Sequence, residues 1–423
     1  MHRRGFLSLF LAATALHGSS FAQSPGVLAG SGSAAFDAWL ADFYRRALEA
    51  GLPAELLDRE LAGLTPDDRV SAADSRQPEF SRPIGAYVQS VASADRVTIG
   101  RQKALELPEL GIVEQRFGVP RAVVIAIWAV ESGFGAIQGR YDVLRSMATL
   151  AADGRRRAFA ESQLIAALKI IHSGEFPRDR LVGSWAGAMG QTQFIPTTFL
   201  STAVDVDGDG RRDIWGSPLD ALGSAANLLK EAGWETGTSW AREVIARPGF
   251  DYSVTEGPEL TPQQWLQAGV SPADGAPWSA QDNLSPATLI APSGASGPLF
   301  LIFPNHFAIR RYNNSTAYAL GVGLLADRIG GAGPLRTPWP VETPLALADR
   351  MDAQKALQAL GFNPGPVDGV IGVGTRAALR AWQKSRGLVA DGYLSLEMVR
   401  LLRTSGTGQG AFELPVAPED PPY

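Results

Sequence analysis

The chain is poor in cysteine and histidine, the residues that form disulfide crosslinks and bind transition metals. It contains no cysteine, which excludes disulfide bonds and a lipid-acylated N-terminal cysteine. Only four histidines occur among 423 residues, which leaves little scope for a histidine metal cluster. No run rich in lysine or arginine is present, and the formal charge of −5 is mild. These absences argue against a nucleic-acid partner, whereas the 45% apolar content excludes a chain that is disordered throughout.

Long apolar runs are also absent, so no membrane span is expected. Arg3 and Arg4 precede an apolar stretch, residues 5–16, that is too short to cross a bilayer. Ser20-Phe-Ala22 then supplies small residues at the two positions that a signal peptidase reads, with cleavage expected after Ala22. We therefore predict that residues 1–22 are a signal peptide of twin-arginine or Sec type and that the protein is exported to the periplasm.

Apolar residues recur at three- and four-residue spacing in most of the first 330 residues, whereas strand-like alternation is scarce. This pattern predicts a mainly α (α+β) chain with two folded units. We expect a flexible leader over 23–34, a helical main domain over 35–330 with short strands and long loops in 234–311, a Pro/Gly linker over 331–344, a small three-helix unit over 345–403, and a disordered tail over 404–423.

One apolar run ends on a single carboxylate. Residues 125–131 read Ile-Ala-Ile-Trp-Ala-Val-Glu, and Gly133 suits the position just past a helix end. Ile127 and Trp128 should flank Glu131 on one helix face. An apolar surround and the negative end of the helix dipole both favour the protonated acid, as a general acid requires. The alternative is a solvated glutamate at a helix end.

A second informative stretch covers residues 183–196, Gly-Ser-Trp-Ala-Gly-Ala-Met-Gly-Gln-Thr-Gln-Phe-Ile-Pro. Its small residues allow the backbone to lie against a bulky ligand. Ser184, Gln191 and Gln193 add neutral hydrogen-bonding groups that suit hydroxyl and acetamido groups. The alternative is tight helix packing through small residues.

These segments carry a family resemblance. Glu131-Ser-Gly-Phe-Gly, followed about fifty residues on by Ser184-Trp-Ala-Gly-Ala-Met-Gly-x-x-Gln-Phe-x-Pro, resembles the lytic murein transglycosylase B family. Further matches follow the family order over roughly 35–330, namely Asp153-Gly-Arg-Arg-Arg157, the Asp-rich segment 205–213 and Arg311-Tyr-Asn-Asn-Ser-Thr-Ala-Tyr318. The resemblance implies a lysozyme-like helical catalytic domain. It also implies cleavage of the β-1,4 bond between N-acetylmuramic acid and N-acetylglucosamine without water, which leaves a 1,6-anhydro ring.

The resemblance makes Glu131 the only catalytic carboxylate, first as acid and then as base, and needs no cofactor for catalysis. Ser184 would bind Glu131 or the substrate acetamido group. The implied sugar-binding residues are Gln193, Tyr312, Asn313 and Tyr318. Tyr87 is a further candidate for stacking on a sugar, although it stands in no family motif. Arg155 and Arg156 could meet muramic acid carboxylates, since arginine forks suit carboxylates. Their alternative role is to keep a helix surface soluble. Asp142, Asp153, Glu161 and Glu175 are expected to be solvated or ion-paired.

The segment Asp205-Val-Asp-Gly-Asp-Gly-Arg-Arg-Asp213 fits the first nine positions of a calcium-binding EF-hand loop. Its predicted ligands are the carboxylates of Asp205, Asp207 and Asp209 and the carbonyl of Arg211. Position twelve is Gly216 instead of the usual Glu, and Asp220 is the natural replacement. We expect a structural Ca²⁺ site, the alternative being an Asx-rich turn without metal.

The unit at 345–403 resembles the three-helix peptidoglycan-binding domain, chiefly through Asp368-Gly-x-Ile-Gly-x-Gly-Thr-Arg and Ala390-Asp-Gly. The expected partner is therefore the glycan strand of peptidoglycan. Two other functions remain open from the sequence. One is a hydrolytic muramidase that uses the same Glu with a water, and the other is a non-catalytic wall-binding protein.

Overall fold

The computed structural model describes residues 30–75 and 82–406, so the predicted signal peptide lies outside the described residues. Before residue 330 the described chain is mainly helical, which confirms the predicted fold class. Its helices are α1 (Ala34–Glu49), α2 (Ala54–Leu61), α3 (Asp68–Ser75), α4 (Ile84–Val91), α5 (Ala94–Glu106), α6 (Leu110–Phe117), α7 (Arg121–Ser132), α8 (Val143–Asp153), α9 (Arg157–His172), α10 (Pro196–Thr202), α11 (Pro218–Glu231), α12 (Pro262–Gln267), α13 (Pro304–Arg310) and α14 (Thr316–Ile329). Its strands are β1 (Tyr141–Asp142), β2 (Val182–Gly183), β3 (Ala241–Ala246), β4 (Glu259–Leu260), β5 (Val270–Pro272), β6 (Ala287–Ile290) and β7 (Leu299–Ile302).

Local capping decides where several helices begin. Asp142 caps α8 by accepting the Arg145 N–H at 3.1 Å. The helical pattern over 83–107 predicts one continuous run, but the structure divides it into α4 and α5. The break falls at Ser93, whose hydroxyl accepts the Arg96 N–H at 3.4 Å and starts the new helix. A serine that bonds its own downstream backbone favours a helix start over a helix interior.

Two hydrophobic cores hold these helices together. The first lies between α1, α2, α8 and α9 and is filled by buried side chains such as Phe43, Leu57 and Leu164. The second surrounds α7, which packs against α5, α11 and α14. Since α7 is covered on nearly all sides, its sequence is apolar from Ala122 to Val130. This burial fixes the helix that carries Glu131 in its last turn.

The region 234–311 contains the short strands that the sequence predicts. They form an antiparallel sheet with the order β4-β6-β7-β3-β5. Strand β7 is buried on both faces. Phe300 and Ile302 enter the second helical core, whereas Leu299 and Leu301 enter a third core beside Trp265. Because side chains alternate along a strand, this single strand closes two cores.

The C-terminal unit has the predicted helix–turn–helix–turn–helix order, with α15 (Leu347–Ala359), α16 (Val373–Ser385) and α17 (Leu396–Gly406). Leu357, Leu379, Trp382 and Val399 are buried in a core of its own. Helix α17 continues three residues past the predicted end of the unit at 403. Within 30–75 and 82–406, no helix is long and apolar enough to cross a membrane.

The C-terminal unit is docked on the sheet region through an ion cluster. Glu256 receives Arg376 at 2.6 Å and Arg380 at 3.0 Å. The Arg380 side chain is only 9% exposed. Asp391 of the same unit accepts the Ala295 N–H at 2.9 Å. The unit is therefore held against its neighbour by polar contacts that fix its orientation.

The linker is also bound to the main domain. Glu243 accepts the backbone N–H groups of Arg336 and Thr337 at 2.8 and 2.7 Å. The ring of Trp339 lies 6.2 Å from that of Phe300. The proline-rich segment predicted as a stiff spacer thus lies along the domain surface.

Candidate active site

Helix α7 carries Glu131 in its last turn and ends abruptly behind it. Gly133 is left-handed (φ 58°), and its N–H donates to the Ala129 carbonyl at 3.2 Å. Phe134 is left-handed as well (φ 61°), which is uncommon for a residue with a side chain. Its ring meets Trp128 edge-on at 5.8 Å. The Glu131 carboxyl consequently stands at the negative end of the helix dipole.

The Glu131 carboxyl is largely enclosed and has one hydrogen-bond donor among the described residues. The Tyr318 hydroxyl of α14 donates to Glu131 Oε1 at 2.5 Å. Burial raises the pKa of Glu131 to about 7, and the Tyr318 hydrogen bond opposes this rise because it stabilises the carboxylate. Half of such groups are protonated near neutral pH, so this side chain can give a proton and take one back.

Two further tyrosines lie within electrostatic reach of this carboxyl. Tyr87 on α4 and Tyr312 before α14 both have a pKa raised by burial and, secondarily, by the charge of Glu131. The Tyr312 hydroxyl donates to the Thr192 carbonyl at 3.2 Å, and its ring lies 5.9 Å from that of Phe194. The structure thus brings Tyr87, Tyr312 and Tyr318 together around Glu131.

The small-residue stretch forms a tight backbone turn beside this group. Strand β2 pairs with β1, and a Cβ on Gly139 would lie 2.1 Å from the Gly183 carbonyl carbon. Such a close approach requires glycine. The Ser184 hydroxyl accepts the Ala188 N–H at 3.0 Å. Its predicted bond to Glu131 is not present among the described contacts, so its role toward substrate stays a prediction.

Gln193 and Asn313 occupy the neighbouring loops. Gln193 is left-handed (φ 52°), and its side-chain amide donates to the Gly190 and Gln138 carbonyls at 2.8 and 3.3 Å. These bonds leave the Gln193 side-chain oxygen as its acceptor for a ligand. Asn313 is exposed and follows Tyr312 directly. Gln193 directly follows Thr192, whose carbonyl binds the Tyr312 hydroxyl, so both residues lie next to members of the tyrosine group. Their contact with a sugar stays a prediction.

Gln191 has a different position from the one that the sequence suggests. It is only 4% exposed, and its side chain joins Trp128 of α7 to the Trp215 carbonyl. It therefore bonds to protein and not to a sugar. No periodicity or motif distinguishes Gln191 from Gln193, because the difference lies in partners that are distant in sequence.

Arg155 and Arg156 are held by an acid of α3. Arg155 hydrogen-bonds Asp74, and Arg156 lies 3.8 Å from the same carboxyl. The Arg156 guanidinium also covers the Phe159 ring at 4.8 Å. Their side chains stay 62% and 36% exposed, so each retains donors that face solvent.

The four acids near Glu131 in sequence are each engaged elsewhere, as expected. Their partners are Arg178 for Asp142, Ser71 for Asp153, Trp39 and Arg46 for Glu161, and Arg212 for Glu175. Glycosidases with two working carboxylates need both within about 5–10 Å across the scissile bond. The contacts described for these four acids do not include Glu131, whose pKa is set by burial and by Tyr318.

The Asp-rich loop brings four predicted ligands together. One carboxylate oxygen from each of Asp205, Asp207, Asp209 and Asp220 lies within 4.8 Å of the others. Asp220 is fully buried and accepts the Val206 N–H at 2.7 Å, which ties it to the loop. Such a set of hard oxygen atoms suits Ca²⁺.

Two other loop residues stand outside this oxygen cluster. Asp213, at the ninth loop position, accepts the backbone N–H groups of Trp215 and Gly216 at 3.0 and 2.8 Å. Arg211 donates its N–H to Asp209 at 2.8 Å, and its carbonyl stays a predicted ligand.

A family model described as "Transglycosylase SLT domain" matches residues 35–327, which is more than half of the chain. The chain belongs to this family. A second model, "Putative peptidoglycan binding domain", matches residues 347–402. The family resemblance that the sequence motifs carry is thus confirmed.

Several relatives show how far the likeness extends. The chain is 33% identical over 228 residues to membrane-bound lytic murein transglycosylase B of Escherichia coli, an alignment that covers 51% of this chain and 58% of that protein. The chain therefore spans just over half the length of this curated relative.

Two solved structures match more of the chain. SltB3 from Pseudomonas aeruginosa, in complex with NAG-anhNAM-pentapeptide, is 46% identical, with a TM-score of 0.84 over 88% of this chain and 100% of that one. The Escherichia coli lytic transglycosylase Slt35 in complex with calcium is 28% identical, with a TM-score of 0.59 over 69% and 92% of the two chains.

Proposed function

We propose that the protein is an exported lytic transglycosylase that cleaves the β-1,4 bond between N-acetylmuramic acid and N-acetylglucosamine in peptidoglycan. The observation that carries this proposal is Glu131, enclosed so that its pKa is about 7 and held by Tyr318. A single carboxyl that is protonated in part at neutral pH can serve one step as acid and the next as base.

In the first step, protonated Glu131 gives its proton to the glycosidic oxygen as the bond from that oxygen to C1 of muramic acid breaks. N-acetylglucosamine leaves with a free hydroxyl, and the acetamido oxygen of the substrate stabilises the positive charge at C1. In the second step, the Glu131 carboxylate takes the proton of the C6 hydroxyl while that oxygen bonds to C1. No water enters, and Glu131 ends protonated as it began.

The residues around Glu131 supply neutral and aromatic groups that suit a sugar chain. Tyr87, Tyr312 and Asn313 would line the sugar sites with the side-chain oxygen of Gln193, and Ser184 would bind the acetamido group. The exposed donors of Arg155 and Arg156 would meet lactyl or stem-peptide carboxylates. Their pairing with Asp74 holds both guanidinium groups in place for this task.

A hydrolytic muramidase would use Glu131 as the acid and a water as the nucleophile. Mass spectrometry of muropeptides released from purified sacculi separates the two reactions. We expect 1,6-anhydro ends, and reducing ends in their place would refute the transglycosylase reaction.

In the same assay Glu131→Gln should lose turnover entirely while the protein still sediments with insoluble peptidoglycan. Unchanged turnover would exclude Glu131 as the acid, and turnover absent from the wild type would favour a wall-binding protein.

We further propose that the C-terminal unit binds the wall. Its support is the match of residues 347–402 to a peptidoglycan-binding domain. A chain that ends at residue 344 should bind purified sacculi more weakly than the full chain. Unaltered binding would show that the unit has another task.

Export and calcium complete the proposal. The signal peptide at 1–22 would direct the chain to the periplasm, and the exported protein should begin at Gln23 by N-terminal sequencing. The cluster of Asp205, Asp207, Asp209 and Asp220, with the carbonyl of Arg211, would hold a structural Ca²⁺ ion that takes no part in catalysis. The calcium complex of the related Slt35 supports this assignment.

A further inference from the structure

Gln191 lies at the centre of the hydrogen bonds that close the end of α7. Its side-chain oxygen accepts the Trp128 indole N–H at 3.0 Å, and its side-chain amide donates to the Trp215 carbonyl at 3.2 Å. Its own carbonyl accepts the Ser132 hydroxyl at 2.6 Å, and its backbone N–H donates to the Ile214 carbonyl at 2.9 Å. One residue thus joins the last turn of α7 to the chain that leaves the Asp-rich loop.

The chemistry of the two side-chain partners calls for an amide. A tryptophan indole only donates, and a carbonyl only accepts, so the bridging side chain must offer one acceptor and one donor. Asparagine has the same groups on a shorter stem. Glutamate in its ionised form has no donor for the Trp215 carbonyl. At 4% exposure, Gln191 does not reach the substrate itself.

The surrounding backbone makes room for this bridge. A Cβ on Gly135 would lie 2.6 Å from the Gln191 side-chain oxygen and 3.3 Å from the Trp128 indole nitrogen. Gly135 donates its N–H to the Ser132 hydroxyl at 2.9 Å. Gln138 adds a parallel bridge from the Gly135 carbonyl to the same Trp215 carbonyl, at 3.2 and 3.1 Å.

We infer that Gln191 is a positioning residue for Glu131. Glu131 lies in the same helical turn as Trp128 and Ser132, and Gln191 holds a residue on each side of it. The last turn of a helix is where local opening is easiest. A fixed last turn keeps the carboxyl within reach of both the glycosidic oxygen and the C6 hydroxyl. Misplacement by about 1 Å costs on the order of 100-fold in rate.

This inference rests on the proposed transglycosylase function, and its test uses the full chain. Gln191→Leu removes both side-chain bonds, and Trp128→Phe removes one of them from the other end. The matched control is Gln163→Leu. Gln163 is 3% exposed, and its side-chain oxygen accepts the Thr197 N–H and hydroxyl, both at 3.0 Å, so it ties α9 to α10.

The measurement is kcat and KM for a soluble tetrasaccharide of alternating N-acetylglucosamine and N-acetylmuramic acid, with thermal unfolding followed in parallel. We expect Gln191→Leu to lower kcat about 10- to 100-fold with KM within about twofold of the wild type. Trp128→Phe should fall in the same direction by less. Gln163→Leu should lose comparable thermal stability and keep its kcat.

Three results would overturn the inference: wild-type kcat in folded Gln191→Leu or Trp128→Phe, a rise in KM with kcat kept, or an equal loss of kcat in Gln163→Leu. A wild type that releases no 1,6-anhydro product, measured beside these variants, would refute the proposed function instead.

Discussion

Burial and the Tyr318 hydroxyl have opposing effects on the pKa of Glu131. Burial disfavours the carboxylate, whereas the hydroxyl of Tyr318 stabilises it through a 2.5 Å hydrogen bond. Burial has the larger effect, so the pKa of Glu131 is raised to about 7 and not further. Without burial the group would be ionised at neutral pH and could not act as acid. Without the tyrosine it would lose the proton less readily and would make a slower first step.

Replacement of Tyr318 by Phe should move the alkaline limb of the pH–rate profile. Removal of the donor destabilises the Glu131 carboxylate, which raises its pKa further. In the proposed reaction the protonated form of Glu131 acts first, so activity should then persist to higher pH, while the maximal rate falls. Tyr312→Phe is the control and should leave the alkaline limb in place, since the Tyr312 hydroxyl donates to Thr192 and not to Glu131. The profile of kcat against pH checks this, and a limb that stays in place or moves to lower pH would contradict it.

The sequence predicts the enclosed, partly protonated carboxyl of Glu131 well and its supporting contacts poorly. Glu131 could be found because an apolar helical run and a glycine stop are local signals. The family resemblance supplied Tyr318 as a sugar-binding residue, but the hydrogen bond to Glu131 depends on how α14 packs against α7. Gln191 was grouped with Gln193 for the same reason, since only the folded chain brings Trp128 and Trp215 to its side chain.

At the scale of secondary-structure elements, hydrogen bonds within the Asp-rich loop hold its carboxylates in place. Asp205 accepts the N–H groups of Gly208 and Gly210 at 2.6 and 2.9 Å, so the loop is already curved around its carboxylates. Asp220 is contributed by α11, which ties that helix to the loop. Burial raises the pKa of Asp220 even though backbone N–H groups bond to it, and a bound cation would oppose that rise.

Calcium should therefore raise the unfolding temperature of the protein. At a free concentration 100 times the dissociation constant, the added stability is about 2.7 kcal/mol, because the ion binds the folded state alone. Asp209→Asn should abolish the response. Asp213→Asn is the matched control and should keep it, since Asp213 lies outside the oxygen cluster. Thermal unfolding with Ca²⁺ and with a chelator measures both, and a response that survives in Asp209→Asn would exclude this site.

The boundaries of the helices and strands show which parts of the fold can be predicted from sequence patterns. The three helices of the C-terminal unit follow from periodicity and turn residues. The Pro- and Gly-rich composition of 234–311 predicts short strands there without giving their positions. The division of 83–107 into α4 and α5 does not, because both halves keep a helical pattern and only the side chain of Ser93 marks the break. The double burial of β7 is equally hidden, since a short apolar run fits a helix or a strand.

At the scale of the whole molecule, Glu256 decides where the C-terminal unit sits. Its own backbone is left-handed (φ 58°), and it holds two arginines of α16. The linker follows the domain surface through Glu243 and Trp339. The C-terminal unit and the site at Glu131 thus keep a fixed relative orientation.

Glu256→Ala should release this docking. Arg380 would lose its carboxylate partner in a largely buried place and keep only the Thr255 hydroxyl as an acceptor, which costs a few kcal/mol. We expect a larger radius of gyration by small-angle X-ray scattering and faster tryptic cleavage at Arg336 in the linker. Asp352→Asn is the control, because its ion pair with Arg403 is exposed on both sides and worth about 0–1 kcal/mol. Equal scattering from Glu256→Ala and the wild type would show that other contacts suffice.

Strand β7 has a consequence for how this architecture can evolve. The four side chains of β7 pack alternately into two cores. Transfer of the sheet region between relatives would therefore also require replacement of the residues that pack against Phe300 and Ile302 in the helical core. A single inserted residue in β7 would exchange the side chains that face the two cores and disrupt the packing of both at once. Surface loops of the sheet are free to diverge, whereas this short segment must change together with its partners in both cores, among them Trp240 and Trp339 beside Phe300.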